Sequence, residues 1–187
     1  MPEDITSCLV KKAQDGDLRS FEQLIEQYQA KIFNIALGIM GSPHDAEDAA
    51  QNAVIKIYRA IGDFKFQSKF STWVYRITVN VCMDEVRKKK RSKTVSNEEI
   101  GEDVFDQSAV SPETDALKSE EKEEIKKAIA SLKQDHQKMI VLRDINGFSY
   151  EEIAKITHLS VGTVKSRINR ARAHLKDALI SSGYFSL

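Results

Sequence analysis

Residues 161–172 read VGTVKSRINRAR, and the placing of the apolar residues in this stretch decides the fold. On a helix turning about 100° per residue, Val164, Ile168, Ala171 and Leu175 fall in one narrow stripe. Gly162, Ser166, Asn169 and Ala173 lie opposite, with Thr163, Lys165 and Arg170 on the shoulders. One face is made to dock on a core. The other is small, polar and cationic, as a helix must be to enter a groove of duplex DNA and reach base edges. Residues 160–176 carry five cations and no carboxylate. A merely solvated helix mixes signs so that i,i+4 pairs form, and this one does not.

Immediately upstream stands GFSYEEIAKITHLS, residues 147–160. Ser149 and Glu152 form an S-x-x-E capping box, and Ile153 with Ile156 gives a buried side. His158, Leu159 and Ser160 then make a three-residue turn, and Ser160 caps the next helix. Short helix, tight turn, and helix with a polar outer face together predict a helix-turn-helix. His158 stands where glycine often sits, and histidine is among the residues enriched at positive φ. Lys165, Ser166, Asn169 and Arg170 point away from the packed stripe and are the expected base readers. Arg167 and Arg172 flank it, placed to reach phosphates or to tie the helix down.

Apolar residues recur at threes and fours along most of the 187 residues, and glycine (8) and proline (3) are scarce. The pattern predicts an all-α chain. Basic and acidic residues balance at 28 each, which argues against a protein that coats nucleic acid without specificity. Their distribution is uneven: 14 basic against 12 acidic over residues 1–92, 2 against 7 over 93–118, and 12 against 9 over 119–187. Two slightly basic helical blocks, 1–92 and 119–187, are therefore expected to flank a flexible acidic linker at 93–118. Cys8 and Cys82 are far apart and read as incidental reduced thiols. No Cys/His spacing suggests a metal site. No apolar run suggests a signal core or a membrane span, so the expected location is the cytoplasm.

In the N-terminal block, residues 18–40 suggest one or two helices ending at Gly41. SPHDAEDAAQNAVIKIYRAIGDF then opens with Ser42 as cap, Pro43 at the first helical position and Asp45 where a capping box places its acid. A loop, DFKFQSK, leads to a helix starting near Ser71 that runs into RKKKR at residues 87–91. On that helix Trp73, Ile77 and Val81 form one apolar strip, and Tyr75, Val79, Cys82 and Val86 a second. A narrow third strip holds Arg76, Asn80, Met83 and Arg87. The preceding loop sets Phe64, Phe66 and Phe70 among Lys65, Gln67 and Lys69, a composition suited to stacking single-stranded bases and equally to anchoring a core.

SYEEIAKITHLSVGTVKSRINRARAHL, residues 149–175, resembles the DNA-binding end of extracytoplasmic-function (ECF) sigma factors of the sigma-70 family. DAEDAAQNAVIKIYRAI followed by FSTWVYRITVNVCMDEVRKKK resembles their N-terminal region. The resemblance implies a bacterial initiation subunit that binds core RNA polymerase and directs it to promoters. It implies −35 contacts from Ser160, Thr163, Lys165, Ser166, Arg167, Asn169 and Arg170. It implies −10 recognition and melting through loop 63–69 and the following helix, by Phe64, Lys69, Arg76, Asn80, Met83 and Arg87. Asp45, Asp48, Gln51 and Asn52 would face the polymerase. An anti-sigma factor is the further expected partner, with no cofactor, metal, small-molecule substrate, membrane insertion or enzymatic step. Three positions depart from the family pattern. Asn52 replaces a usual acid, Lys133 replaces a usual proline, and Gly38 interrupts a helix.

Two other classes remain to be separated. A helix-turn-helix regulator acting on duplex DNA alone would bind tightly without polymerase. A nuclease would need Asp45, Glu47 and Asp48 as metal ligands, yet they crowd one helical turn without a distant partner.

Overall fold

The computed structural model describes residues 5–95 and 114–183, and every regular element among them is helical. α1 (Ile5–Gln14), a helix not expected from the sequence, precedes α2 (Leu18–Met40). Asp17 caps α2: its carboxylate accepts from the Arg19 N–H at 3.1 Å and the Ser20 hydroxyl at 2.7 Å. The Ser20 bond leads in holding the Asp17 carboxyl below its ordinary value. Phe21, Leu24, Ile25, Ile32, Ile35, Ala36 and Ile39 are buried along one face at threes and fours. The helix runs unbroken through Gly38. It stops at Gly41, whose φ of 78° closes the end with an N–H to Leu37 C=O bond.

α3 (Pro43–Ala60) begins as its sequence requires, with Ser42 as cap and proline first. Asp45 does not close a capping box; its carboxylate pairs instead with Lys89 at 2.5 Å. The buried face is Ala46, Ala49, Ala53 and Ile57, small side chains that let α3 lie close on α2 and α4. A 3-10 turn, Ile61–Asp63, leads through a loop to α4 (Phe70–Val95). Trp73 and Val81 of α4's first strip join Phe21, Leu24, Phe64 and Phe70 in an aromatic-rich core. Cys8 and Cys82 are free thiols, and burial pushes Cys82 up to about 12, leaving it un-ionised.

The C-terminal block comprises α5 (Thr114–Ser131), α6 (Gln134–Ile140), a π-helical turn at Val141–Ile145, α7 (Tyr150–Thr157) and α8 (Val161–Ser181). Lys133 caps α6 by its backbone alone, at the φ of −57° that proline would enforce. The departure from proline therefore keeps the boundary. The linker expected at 93–118 is shortened at both ends: α4 runs to Val95 and α5 starts at Thr114, while residues 96–113 lie outside the described residues.

The two blocks are not held apart. α4 packs on α7, and α2 on the π turn and α5. A second apolar cluster takes Ile35, Ile39, Val79, Cys82 and Met83 from one block and Met139, Val141, Leu142, Phe148, Ile153 and Ile168 from the other.

Candidate nucleic-acid interface

The recognition unit is assembled by local bonds. Ser149 Oγ accepts from the Glu152 N–H at 3.2 Å, and Glu152 Oε2 accepts from the Ser149 N–H at 2.8 Å. The backbone bond from Ser149 is the main reason the Glu152 carboxyl lies below its ordinary value. His158 adopts φ 55°, ψ 37°, the left-handed turn expected of it. Ser160 caps α8 by accepting from the Thr163 N–H at 3.1 Å. Val164, Ile168 and Ala171 are fully buried and Leu175 packs beside them, as the stripe requires.

The outer face of α8 sorts itself by what each side chain already holds. Ser160 and Thr163 hydroxyls lie 2.8 Å apart, and the Ser166 hydroxyl donates to Thr163 C=O at 3.0 Å. Lys165 Nζ leans over the Tyr150 ring at 5.6 Å. Arg167 pairs with Asp135 at 3.2 Å, and Arg172 grips Asp144 through two nitrogens. Partial burial would raise the Asp135 carboxyl, but the Lys138 hydrogen bond, helped by the Lys138 and Arg167 charges, leaves it lowered. Arg167 and Arg172 thus act as struts for the helix. Asn169 and Arg170 are exposed, with no hydrogen bond or ion pair among the described residues.

In the N-terminal block the loop after the 3-10 turn is pinned by α1. The Gln14 amide donates to both Ile61 C=O and Phe64 C=O at 2.9 Å. Phe64, expected at the DNA surface, is instead 5% exposed, its ring 5.3 Å from those of Phe70 and Trp73. The pinned loop turns it inward. Phe66 takes the outward place, 43% exposed and held at φ 54°, a conformation a phenylalanine rarely adopts. Nothing in the sequence separates Phe66 from Phe64, because period rules fail where no helix fixes the direction. Lys69 is exposed beside it.

Of the third strip on α4, Asn80 and Arg87 are exposed, Arg87 in a surface pair with Asp84 at 2.8 Å. Arg76 is half-buried and bonded to His158 Nε2 at 2.7 Å. Met83, expected on an open strip, is 4% exposed within the cluster shared with the C-terminal block. A wheel projection assigns the strip but not what covers it. On α3, Asp48, Gln51 and Asn52 are exposed on one face, with His44 3.5 Å from Asp48. Ile55, absent from the expected set, continues that face at 47% exposure; its i+4 spacing from Gln51 is the sequence signal that places it there.

Among the described residues no group of three or more His, Cys, Asp or Glu is placed to hold a metal ion, and no helix is long and apolar enough to cross a membrane.

Two segments match family models: Sigma-70 region 2 over residues 24–92 and Sigma-70, region 4 over residues 122–175. The RNA polymerase sigma-H factor of Pseudomonas aeruginosa is 37% identical over 177 residues, covering 91% of this chain and 92% of that one. The ECF RNA polymerase sigma factor SigW of Bacillus subtilis is 35% identical, covering 91% and 94%. The ECF RNA polymerase sigma-E factor of Escherichia coli K12 is 37% identical, covering 92% and 93%. Among solved structures, CnrH in complex with the cytosolic domain of CnrY matches with a TM-score of 0.68 at 26% identity, over 95% of this chain and 99% of that one. The sigma factor RpoE of Bartonella quintana, in complex with the anti-sigma factor NepR, matches with a TM-score of 0.66 at 28% identity, over 87% and 98%.

A buried-stripe helix-turn-helix following a helical block with a basic α4 defines a DNA-binding transcription factor. The chain belongs to the ECF RNA polymerase sigma factors. It is an initiation factor rather than an enzyme, and the polymerase-independent regulator is not favoured.

Proposed function

We propose that the chain meets core polymerase and the promoter through three separate surfaces. The outward face of α3, with Asp48, Gln51, Asn52 and Ile55, docks on core polymerase, and Asp45 steadies that helix through Lys89. The N-terminal unit, residues 1–92, holds the unwound −10 strand along Phe66, Lys69, Arg76, Asn80 and Arg87, with rings and cations doing the stacking and backbone work. The C-terminal unit, residues 119–187, sets α8 in the −35 major groove, where Asn169 and Arg170 read bases. Ser160, Thr163, Lys165 and Ser166 surround them, and Arg167 serves more as a strut than a reader. The relatives' names and the two complexes support a cytoplasmic site of action and control by an inhibitory protein of the anti-sigma type.

The observation that carries this reading is α8 itself. Val164, Ile168 and Ala171 are closed to solvent, while Asn169 and Arg170 stand outward among Lys165, Arg167 and Arg172, which are engaged by Tyr150, Asp135 and Asp144. The experiment is transcription from a linear promoter library by core polymerase with and without the chain. A defined set of start sites should appear only with both present. In that assay Arg170→Ala and Asn169→Ala should each cost about 1–3 kcal/mol at one promoter position. An equal loss on every sequence would make both residues phosphate contacts.

A further inference from the structure

Two imidazoles lie beside the recognition helix. His136, in the first turn of α6, and His174 of α8 stack with ring centroids 4.8 Å apart and planes 20° from parallel. His174 is exposed and His136 half-buried, and neither has a hydrogen bond or ion pair among the described residues. Two charged rings held face to face repel, so the pair carries at most one proton near neutrality and titrates as a unit.

Cations surround the pair. Lys133 of α6 and Arg170 of α8 act on His136, and Lys90 at the basic end of α4 lines the same groove as Lys133 and His136. The opposing carboxylate is Asp135, already held by Lys138 and Arg167, each at 3.2 Å. On α5, which packs on both helices, Glu123 and Glu124 are taken up by Lys126 and Lys127. Burial, followed by the His174 and Lys133 charges, holds the His136 imidazole below its ordinary value, so the free chain carries that ring uncharged at pH 7. The cluster lacks an anion.

Its place on α8 supplies one. Thr163, Arg170 and His174 lie in a single row of the helix, at i, i+7 and i+11. His174 follows Arg170 by one turn, about 6 Å further along the axis. A helix in the major groove meets base edges with its N-terminal residues and the sugar–phosphate border with the turns that follow.

We infer that His136 and His174, backed by Lys133, form a contact for a DNA phosphate beside the −35 element, and that the pair gains one proton as the phosphate arrives. The imidazolium N–H donates to a phosphate oxygen, while the phosphate charge offsets the repulsion from Lys133 and Arg170. The proton comes from solvent. Affinity is therefore greatest below the ordinary histidine range and falls as pH rises through it. The contact rests on the −35 placement of α8.

The test measures binding of a promoter duplex from the library by core polymerase carrying the chain. The affinity ratio of wild type to His174→Gln, and to His136→Gln, should be about tenfold near pH 6 and close to one near pH 8. Taking the ratio cancels whatever titrates elsewhere in the polymerase. His174→Lys, permanently charged, should keep the tighter binding at both values. Near pH 6 the slope of log affinity against log salt should be steeper by about one in wild type than in the glutamine variants. Uncharged methylphosphonates, placed one at a time at the phosphates flanking the −35 element, should erase the wild-type pH effect at one of them. A ratio that is flat with pH for either glutamine variant overturns the contact, and so does weak binding by His174→Lys at both values. A pH effect that survives every methylphosphonate overturns a DNA phosphate as the ligand. If the chain directs core polymerase to no start site, the sigma-factor reading itself fails; if it does so and the ratio is flat, the histidine contact alone fails.

Discussion

At the scale of single residues, the caps hold the recognition unit in register. Ser149→Ala removes the acceptor for the Glu152 N–H and should cost about 1 kcal/mol, read as a shift of the urea midpoint with unchanged slope. Glu152 adds a pH dependence of known sign. Its folded carboxyl is lowered, so its contribution is complete above the ordinary glutamate value of 4.5 and is lost as pH falls through the folded value. Acid titration of wild type should therefore show a loss of stability below about pH 4.5 that is shallower in Glu152→Ala. These residues were legible in the sequence because a cap is a local pattern: Ser149, Ser160 and His158 each act within four positions. Phe64 and Phe66 were not, because a loop pinned from α1, some fifty residues upstream, chooses which ring faces out.

At the scale of elements, α3 separates folding from docking. Its inner face is alanine and isoleucine, and its outer face carries Asp48, Gln51, Asn52 and Ile55. Replacing Asp48 and Gln51 together by alanine touches no buried group, so the melting temperature should hold while co-purification with core polymerase falls. Retained co-purification would remove α3 from the docking surface. Both apolar strips of α4 were readable from periodicity, and they serve different clusters, Trp73 and Val81 one, Val79 and Cys82 the other. The π turn at Val141–Ile145 was not readable: its extra residue per turn arises where Asn146 N–H and side chain both reach back to Val141 C=O at 3.0 Å.

At the scale of the whole molecule, the shared cluster makes the two blocks one thermodynamic body. A Cβ at Gly38 would stand 2.8 Å from a methyl of the buried Val141. Wild type should unfold in calorimetry as one transition, and Gly38→Ala as two, since units that no longer share apolar surface melt independently. Composition foretold two blocks but not their union. A glycine inside a helix reads only as a weakness until its neighbour is known, and that neighbour lies more than a hundred residues away. Histidine 158 shows where such a union leads. One residue terminates α7 with its left-handed backbone and, through its ring, also receives Arg76, 82 positions earlier. Substitutions at 76 and 158 should therefore be epistatic, and a lineage that retunes its choice of one promoter element inherits an altered grip on the other.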